Sequence, residues 1–371
     1  MDLKSFYDRR VIAAIGRDLG SVHRGFAVDE FVADCLDGLE ELELMGRAWH
    51  IAGVMQRRLP ENFAEAADVV VRSLPAEDAA RDEWGGSMDS FRFLPHVLFV
   101  SKFGLQHFEE SMRAFYELTK RFTSEFGVRA FFDQHPEATH ARFVEWAGDS
   151  NVHVRRLVSE GSRPRLPWAS RLRAFERDPA PVIALLELLK DDPEIYVRRS
   201  VANNLNDIAK DHPEVAVAVC RRWARKKERL WIVRHALRSL VKQGHPGALE
   251  ILGFGAAPKV RVAHVVFEPE RVEIGGKLRV SFELVSEAKQ EQTLLVDYAV
   301  HYVKANGGTA AKVFKISSVK LGAKGVVRLG ASLSFREMTT RKHYAGVHRI
   351  EVLVNGVAMP LGAVEVVLPY T

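Results

Sequence analysis

Asp149-Ser-Asn-Val-His-Val-Arg-Arg156 is the stretch that decides the fold, because it recurs along the chain. It returns 43 residues later as Asp192-Pro-Glu-Ile-Tyr-Val-Arg-Arg199, and after 36 more, in degraded form, as Glu228-Arg-Leu-Trp-Ile-Val-Arg-His235. An acidic turn that leads into an apolar, arginine-bearing helix at a period of about 40 residues is typical of HEAT-like repeats. Because one helix pair cannot bury its apolar face alone, we expect the pairs to stack into a curved solenoid.

The apolar periodicity divides the chain into two parts. Apolar residues recur at helical spacing up to about residue 255, as in Val197, Val201, Leu205 and Ile208. From about residue 260 they alternate or form short β-branched runs, separated by Gly275-Gly276, Asn306-Gly307-Gly308 and Asn355-Gly356. We therefore predict a mainly α protein, with a HEAT-like α-solenoid over 1–257 and an immunoglobulin-like β-sandwich of about seven strands over 258–371. The sandwich segment has no cysteine, so it must form without a disulfide.

Composition narrows the class of protein. The 371 residues are 47% apolar and 27% charged, which suits ordinary buried cores and about two domains. No apolar run approaches the roughly 20 residues that span a bilayer, and the start, MDLKSFYDRR, does not resemble a signal peptide. We expect a cytoplasmic protein with no membrane partner. Cys35 and Cys220 stand 185 residues apart, which favours two reduced thiols.

Charge is distributed unevenly along the chain. Residues 1–90 carry 10 Lys/Arg and 18 Asp/Glu, whereas residues 151–260 carry 21 and 12. A basic middle region beside an acidic first segment would attract a polyanion to one part of the molecule, and nucleic acid is the first candidate. A solvated helical face is the alternative reading of the same charges.

Common catalytic and metal-binding motifs are missing from the sequence. His135 and His140 are five residues apart, off the helical zinc spacing, and HExxH, P-loop and GxSxG motifs do not occur. Gly253-Phe-Gly255 is followed by Pro258 where a dinucleotide fingerprint needs its third glycine. We therefore expect neither a metal nor a cofactor.

Equivalent repeat positions form a ladder of polar groups. Arg199, Asn203 and Asp207 are spaced i, i+4, i+8 on one helix face. The matching positions of the neighbouring repeats hold Arg156, Glu160, His235 and Ser239. Arginine beside carboxylate along one face could serve binding or catalysis, or form local ion pairs.

Three segments place carboxylates among arginines and a tryptophan: 122–129, 159–168 and 200–207. In the second, two prolines stiffen the loop that presents Arg163, Arg165 and Trp168. The arginines suit phosphate contact, and the tryptophan suits stacking on a sugar or base. Packing between repeats is the alternative for Trp168, and the alternative for Asp207 is an ion pair with Lys210 or His212. For Glu125 it is a helix-start charge near Ser124.

The strings SEFGVRAFF (124–132), NVHVRRLVSEGSRPRLPW (151–168) and YVRRSVANNLNDIAKDHPE (196–214) carry a resemblance. They are similar to the bacterial DNA alkylation repair glycosylases built from HEAT-like repeats, specifically the AlkC branch, some of whose members also carry an immunoglobulin-like domain. The resemblance implies a monofunctional glycosylase that removes cationic N3-methylated adenine and cytosine from double-stranded DNA. It also implies that the lesion stays largely within the duplex, against the general rule for such enzymes.

Carried over by position, the functional carboxylates of the family fall on Glu125, Glu160 and Asp207, with Trp168 near the lesion sugar. We expect Asp207 to be the main carboxylate. We expect the polar ladder and its loop to hold DNA phosphates through Arg155, Arg156, Arg163, Arg165, Arg199 and Asn203. A monomer associated with the bacterial nucleoid is the expected setting. The competing hypothesis is a non-catalytic HEAT-repeat scaffold that binds nucleic acid or protein, and the basic tail with Arg341-Lys342-His343 is a second DNA clamp or a partner-binding module.

Overall fold

The computed structural model describes residues 3–77, 88–337 and 342–369, so Arg341 of the basic tail cluster lies outside the described residues. The chain forms two compact units, 1–212 and 213–371. Each unit is built on its own hydrophobic interior, and each is described separately below.

The first unit is helical throughout its described part. Its α-helices are α1 (Arg9–Val22), α2 (Val28–Leu36), α3 (Leu44–Arg58), α4 (Phe63–Arg72), α5 (Leu94–Phe103), α6 (Phe108–Thr119), α7 (Val128–Gln134), α8 (Pro136–Trp146), α9 (Val152–Gly161), α10 (Arg173–Arg177), α11 (Ala180–Leu189) and α12 (Ile195–Asp211). Short 3₁₀ helices cover Leu3–Phe6, Leu39–Glu41 and Met88–Phe93. Helices pack in pairs, with α1 on α2, α3 on α5, α4 on α6 and α9 on α12.

Local sequence signals start the repeat helices. The Asn151 side chain accepts hydrogen bonds from the backbone N–H groups of His153 and Val154, which caps α9. The residue at the equivalent place before α12, Glu194, makes no side-chain capping hydrogen bond within the described part of the chain. The shared feature is the aspartate that opens each turn, because Asp149 accepts from the Asn151 N–H at 2.7 Å and Asp192 accepts from the Glu194 N–H at 2.9 Å. The same aspartate turn therefore precedes both helices.

The predicted apolar stripe of α12 is buried as expected. Val197, Val201, Leu205 and Ile208 are each no more than 1% exposed. Large aromatic side chains fill the space between neighbouring helices, and the rings of Phe115 on α6 and Phe131 on α7 meet edge to face at 5.3 Å. This packing fixes the short turn between α6 and α7, which contributes to the cleft described below.

The second unit begins with α13 (Pro213–Trp223), α14 (Leu230–Ala236), α15 (Arg238–Lys242) and α16 (Pro246–Ile251), with a 3₁₀ turn at Lys227–Arg229. Eight strands follow among the described residues: β1 (Val260–Glu268), β2 (Arg271–Glu273), β3 (Lys277–Ser286), β4 (Gln292–Val303), β5 (Thr309–Leu321), β6 (Val326–Ser334), β7 (Gly346–Val354) and β8 (Val357–Val367). They form a three-stranded sheet, β1-β3-β6, and a five-stranded sheet, β2-β8-β7-β4-β5. All pairs are antiparallel except β2 with β8, which runs parallel.

Alternating side chains of both sheets form the sandwich core. Phe282 of β3, Val296 of β4 and Val352 of β7 are each no more than 1% exposed within it. The cysteines of the chain, Cys35 and Cys220, are buried free thiols that lie outside the strands. The predicted immunoglobulin-like sandwich without a disulfide is therefore what the chain forms.

The predicted turns use left-handed backbone at the expected residues. Asn355 and Gly356 join β7 to β8 with φ values of 46° and 80°, the pattern of a tight hairpin turn. Gly356 also approaches Gly244, since a Cβ built on it would lie 2.7 Å from the Gly244 Cα. The Asn355 amide donates to the Ala256 carbonyl at 3.0 Å.

The boundary between helices and strands lies between Ile251 and Val260. The boundary between the two compact units lies elsewhere, between residues 212 and 213. Helices α13 to α16 therefore belong to the same unit as the sandwich. The division into a domain over 1–257 and another over 258–371 stays a prediction. Among the described residues, no helix is long and apolar enough to cross a membrane.

Candidate active site

A cleft of about 280 Å³ opens in the first unit between two of the predicted segments, 122–129 and 159–168. The turn between α6 and α7 forms one wall, and the end of α9 with the loop after it forms the other. The lining residues are Phe91, Phe122, Thr123, Glu125, Phe126, Glu160, Arg163, Leu166, Pro167 and Trp168. Aromatic and apolar groups thus surround two carboxylates and one guanidinium group.

Glu125 is fixed within its turn by two neighbours. The Thr123 hydroxyl donates to Glu125 Oε2 at 2.6 Å, and the Arg156 guanidinium forms an ion pair with the same oxygen. Arg156 also donates to Thr123 Oγ1 at 3.1 Å, and its guanidinium lies over the Tyr196 ring at 5.5 Å. Glu125 is only 8% exposed, so its position is set by these contacts rather than by solvent.

Arg163 connects the two other predicted carboxylates. Its Nη1 donates to Glu160 Oε1 at 2.5 Å, and its Nε donates to Asp207 Oδ2 at 2.8 Å. The Ser200 hydroxyl donates to the second Glu160 oxygen at 2.6 Å. Both carboxylates are buried, with residue exposures of 5% for Glu160 and 2% for Asp207.

The electrostatics of the cluster favour ionised groups. Burial raises the pKa of the Glu160 carboxyl, but Arg156 and Arg163, with the Ser200 hydrogen bond, lower that pKa below its ordinary value. Burial lowers the pKa of each guanidinium, but the adjacent carboxylates raise the pKa of Arg156 and that of Arg163 above their usual range. Glu160 is therefore a carboxylate at neutral pH, ready to interact with a positive charge.

Asp207 is bound to Arg163 of the cleft lining but does not itself line the cleft. Its Oδ1 accepts from Lys210 Nζ at 2.8 Å, while its Oδ2 accepts from Arg163. Within the described part of the chain, the lining includes Glu125 and Glu160 but not Asp207. The local pair with Lys210 is thus real, and a second partner 44 residues away along the chain joins it.

Trp168 stands at the rim of the cleft with 65% of its surface exposed. It follows Pro167 and has φ = 64°, a left-handed conformation that bulky residues rarely adopt. Packing between repeats does not account for so exposed a tryptophan. The loop holds its ring in solvent beside the carboxylates.

The predicted phosphate-binding groups divide into engaged and exposed ones. Arg155 is bound to Asp192 of the next repeat, with Nε–Oδ2 at 2.6 Å. Arg165 is bound to Asp211 through distances of 2.7 and 2.5 Å. Arg199 is exposed on α12 and Asn203 is half-buried. Arg155 and Arg165 therefore already hold the repeats together.

Sequence reasoning missed several groups that shape the site. Arg129, Thr123, Ser200 and the cleft phenylalanines were not singled out, although Arg129 and Ser200 lie inside the quoted strings SEFGVRAFF and YVRRSVANNLNDIAKDHPE. Their importance depends on contacts between segments distant in sequence, which no spacing rule indicates. Among the described residues, no group of His, Cys, Asp and Glu side chains is arranged to hold a metal ion.

These features define a class: a helical-repeat protein with a C-terminal immunoglobulin-like domain and a carboxylate cleft in its helical part. Residues 261–368 match the family described as "Uncharacterised protein YhaZ, C-terminal Ig-like domain". The chain is 36% identical over 360 residues to the Bacillus subtilis (strain 168) protein described as "Uncharacterized protein YhaZ", covering 96% of each. It is also similar, with a TM-score of 0.90 and 36% identity over 100% of both chains, to the Pseudomonas fluorescens alkylpurine DNA glycosylase AlkC bound to DNA containing an abasic site analog. The chain belongs to the AlkC family, and the resemblance predicted from its sequence is confirmed.

Proposed function

We propose that this protein is a monofunctional DNA glycosylase of base excision repair, which hydrolyses the N-glycosidic bond of cationic N3-methylated adenine and cytosine in double-stranded DNA. The observation that carries the proposal is the cleft, where Glu125 and Glu160 stand beside an exposed tryptophan. The similarity to AlkC, which is described as an alkylpurine DNA glycosylase, supports the same reaction class.

The chemistry needs carboxylates rather than a general acid. Methylation at a ring nitrogen makes the base cationic, so it leaves as a neutral molecule without being protonated. The remaining barrier is the positive charge that develops on the deoxyribose, together with the addition of water. A preorganised carboxylate stabilises that charge and accepts a hydrogen bond from the attacking water.

Glu125 and Glu160 are the carboxylates best able to reach the sugar, because both line the cleft. Asp207 was expected to be the main carboxylate, and that role stays a prediction. With its oxygens bound to Arg163 and Lys210, Asp207 would contribute through its negative field and by holding Arg163. Trp168 at the rim would face the deoxyribose cation and contribute about 0.5–2 kcal/mol of cation–π stabilisation.

The rim position of Trp168 also supports action on a lesion that stays largely within the duplex. Enzymes that extrude the base enclose it in a snug pocket. Here the exposed ring leaves the cleft open beside the carboxylates. The sugar could reach Glu125 and Glu160 from the duplex without full rotation of the base.

Release of N3-methyladenine from methylated duplex DNA tests the proposal. The variants are Glu125→Gln, Glu160→Gln and Asp207→Asn, each of which keeps side-chain shape and removes charge. Asp192→Asn is a matched control, because Asp192 is 7% exposed and bound to Arg155 but does not line the cleft. We expect base release by the wild type and the control, and a loss of about 10²–10³-fold in the glutamate variants.

Two outcomes would count against the proposal. Binding of methylated DNA without base release would favour the scaffold hypothesis instead. Equal rates in the wild type, Glu125→Gln and Glu160→Gln would remove these carboxylates from the mechanism. An Asp207→Asn rate as low as the glutamate variants, with DNA affinity unchanged, would support Asp207 as the main carboxylate.

The setting of the reaction is also part of the proposal. A monomer that acts on chromosomal DNA in the bacterial cytoplasm needs no cofactor for this hydrolysis. A phosphate contact by Arg199, which is exposed on α12, would steepen the salt dependence of affinity, with a slope of about −0.9 per neutralised phosphate in log–log form. The sandwich would serve as a second clamp on the duplex.

A further inference from the structure

Among the described residues, Arg129 is the most completely buried arginine near the cleft, and its hydrogen bonds there go to backbone oxygens. It lies on α7 and is 1% exposed. Its Nε donates to the Ser170 carbonyl at 2.7 Å, and its Nη1 donates to the carbonyls of Arg163 at 2.8 Å and Gly161 at 3.3 Å. A fourth, longer contact runs from Nη2 to the Pro164 carbonyl at 3.5 Å.

These four carbonyls bracket the loop that carries the site groups. Gly161 ends α9 one residue after Glu160, and Arg163 follows two residues later. Ser170 lies two residues beyond Trp168, whose left-handed φ of 64° is unfavourable unless the surrounding structure enforces it. The planar guanidinium therefore fixes both ends of the segment in which that conformation occurs.

Arg129 also lies just after the turn that forms the opposite wall of the cleft. The helix that carries it starts at Val128, three residues after Glu125. Burial lowers the pKa of Arg129 to about 10, while Asp133 and Glu125 act in the other direction, so the side chain stays cationic at neutral pH. One buried cation thus links the Glu125 turn to the loop that holds Arg163 and Trp168.

We propose that Arg129 is a positioning residue, which sets the distance between the Glu125 wall and the Arg163–Trp168 loop by binding the loop's carbonyls. The proposal rests on the proposed glycosylase function for its kinetic consequence. Its structural consequence, a fixed Trp168, can be measured without DNA.

The experiment compares Arg129→Met and Arg129→Lys with a matched control, Arg47→Met. Arg47 is also a buried arginine of the first unit, 4% exposed, and donates to the carbonyls of Leu42 and Tyr7. Both methionine variants should lose stability. Only Arg129→Met should lower the single-turnover rate of base release at saturating enzyme, by about 10- to 100-fold, because small displacements of reacting groups are costly. The lysine should recover part of the rate, and added guanidinium ion should restore more of the rate in Arg129→Met than ammonium ion does.

Trp168 gives the independent readout. The fluorescence difference between each protein and its Trp168→Phe derivative isolates this ring from the other five tryptophans. We expect lower anisotropy of that difference signal in Arg129→Met and an unchanged value in Arg47→Met. Equal rates and equal anisotropy in the two methionine variants, compared at the same folded fraction, would overturn the proposal. If the wild type releases no base, the glycosylase function fails, and the anisotropy still decides whether Arg129 positions the loop.

A separate cavity of about 390 Å³ lies within the second unit, between α14, α15 and the segment after α16 on one side and the outer face of β4 and β5 on the other. Four cations line it, Arg234, Arg238, Lys242 and Lys315, with a single carboxylate, that of Asp297. Its apolar surface consists of Val241, Leu252, Phe254 and Leu295. Asp297 is 7% exposed, so it offsets one of the four positive charges, and the concave surface focuses the rest.

From this lining we infer that the cavity binds a phosphate ester of nucleotide size, with the phosphate on the cations and the planar group on Phe254 and Leu252. A backbone phosphate of bound DNA and a free nucleotide share this chemistry. Pockets of this volume commonly hold ligands of such size. The inference does not depend on the glycosylase reaction.

Two arms of one experiment distinguish the sources. The first measures the melting temperature with deoxyadenosine monophosphate or inorganic phosphate at constant ionic strength, and the second measures affinity for undamaged duplex DNA. Lys242→Ala/Lys315→Ala is compared with Lys259→Ala/Lys277→Ala, which removes the same charge from exposed lysines of the same unit that do not line the cavity. A rise of about 2–4 °C with the nucleotide, lost only in the first pair, supports a free nucleotide. A selective loss of DNA affinity in the first pair supports a backbone phosphate, and the absence of both effects overturns the inference.

Discussion

Replacement of Arg163 by methionine is the most informative perturbation of the cleft. The guanidinium donates to Glu160 at 2.5 Å and to Asp207 at 2.8 Å, and the residue is only 8% exposed. Methionine keeps most of the apolar stem but removes both hydrogen bonds and the positive charge. Glu160 then retains Arg156 and Ser200, and Asp207 retains Lys210.

The loss of stability follows from the two bonds. Hydrogen bonds to charged groups contribute about 1.5–3 kcal/mol each, and removal of one partner from a buried ion pair costs about 3–5 kcal/mol. Because the remaining partners still neutralise part of each carboxylate, we expect a loss of about 3 kcal/mol in Arg163→Met. Adding Asp207→Asn to Arg163→Met should restore part of the lost unfolding free energy. We expect a coupling free energy of about 1–3 kcal/mol between the two positions. Urea unfolding at pH 7 measures all four proteins of the cycle.

The pH dependence of base release gives the second measurement. The pKa of Glu160 lies below its ordinary value, partly because of Arg163, so this carboxylate stays ionised to acidic pH in the wild type. An opposite charge within contact distance lowers a carboxyl pKa by about 1–3 units, and its removal should move the acid limb of the rate profile upward by about 1 pH unit. Single-turnover rates, corrected for spontaneous base loss, test this.

The same shift has a consequence for stability. A carboxyl with a lowered folded-state pKa stabilises the fold above its unfolded pKa, and that stabilisation is lost as the pH falls through the folded value. In Arg163→Met the folded pKa of Glu160 lies closer to the unfolded value, so less stability should be lost on acidification and the loss should be complete at a higher pH. An acid limb superimposable on that of the wild type, or a cost below about 1 kcal/mol at pH 7, would show that Arg163 does not hold these carboxylates as argued.

Other positions give further expectations. Trp168→Ala should lower the base-release rate by about 2- to 30-fold, the equivalent of a cation–π contact, with little effect on urea unfolding, and an unchanged rate would exclude a role at the sugar. Gly356→Ala should lower the unfolding free energy by about 1–3 kcal/mol in urea titrations, because φ is 80° and the new Cβ would lie 2.7 Å from the Gly244 Cα; equal stability would contradict this turn geometry. Burial lowers the pKa of His96 to about 4, so stability should fall as the pH drops from about 6.5 towards 4, and His96→Phe should flatten that slope. Histidine NMR titration checks whether His96 stays neutral at pH 5.

The sequence allowed most of the fold to be predicted because its signals are local. Asn151 caps the first repeat helix, the aspartate turn recurs at Asp149 and Asp192, and the stripe from Val197 to Ile208 is buried. Asn355-Gly356 closes a hairpin with left-handed backbone. The order of strands in the two sheets depends on contacts between distant segments, so local patterns could not indicate the parallel pairing of β2 with β8. The described residues form eight strands where about seven were expected, because the short β2 strand was not predicted.

Residue types in the sequence identified the candidate site, but the sequence did not indicate which of these residues bind one another. Helical spacing indicated the pair of Asp207 with Lys210, which forms at 2.8 Å. It could not indicate that Arg163 reaches Asp207 across 44 residues, or that Arg155 is held by Asp192 of the next repeat. Partner choice between repeats depends on how α9 packs on α12, and that packing is a tertiary property.

The buried carboxylates of the cleft argue for catalysis over simple binding. Glu125, Glu160 and Asp207 share the guanidinium groups of Arg156 and Arg163, and the cations Lys210 and Arg129 lie close to the same carboxylates. A surface built only to bind DNA would gain from replacing these carboxylates, because they repel phosphates. A positive charge that exists only while a glycosidic bond breaks is stabilised by the same groups without tightening the ground-state complex. The arginines then serve two needs at once, since they keep Glu160 ionised and limit the repulsion that the approaching duplex meets.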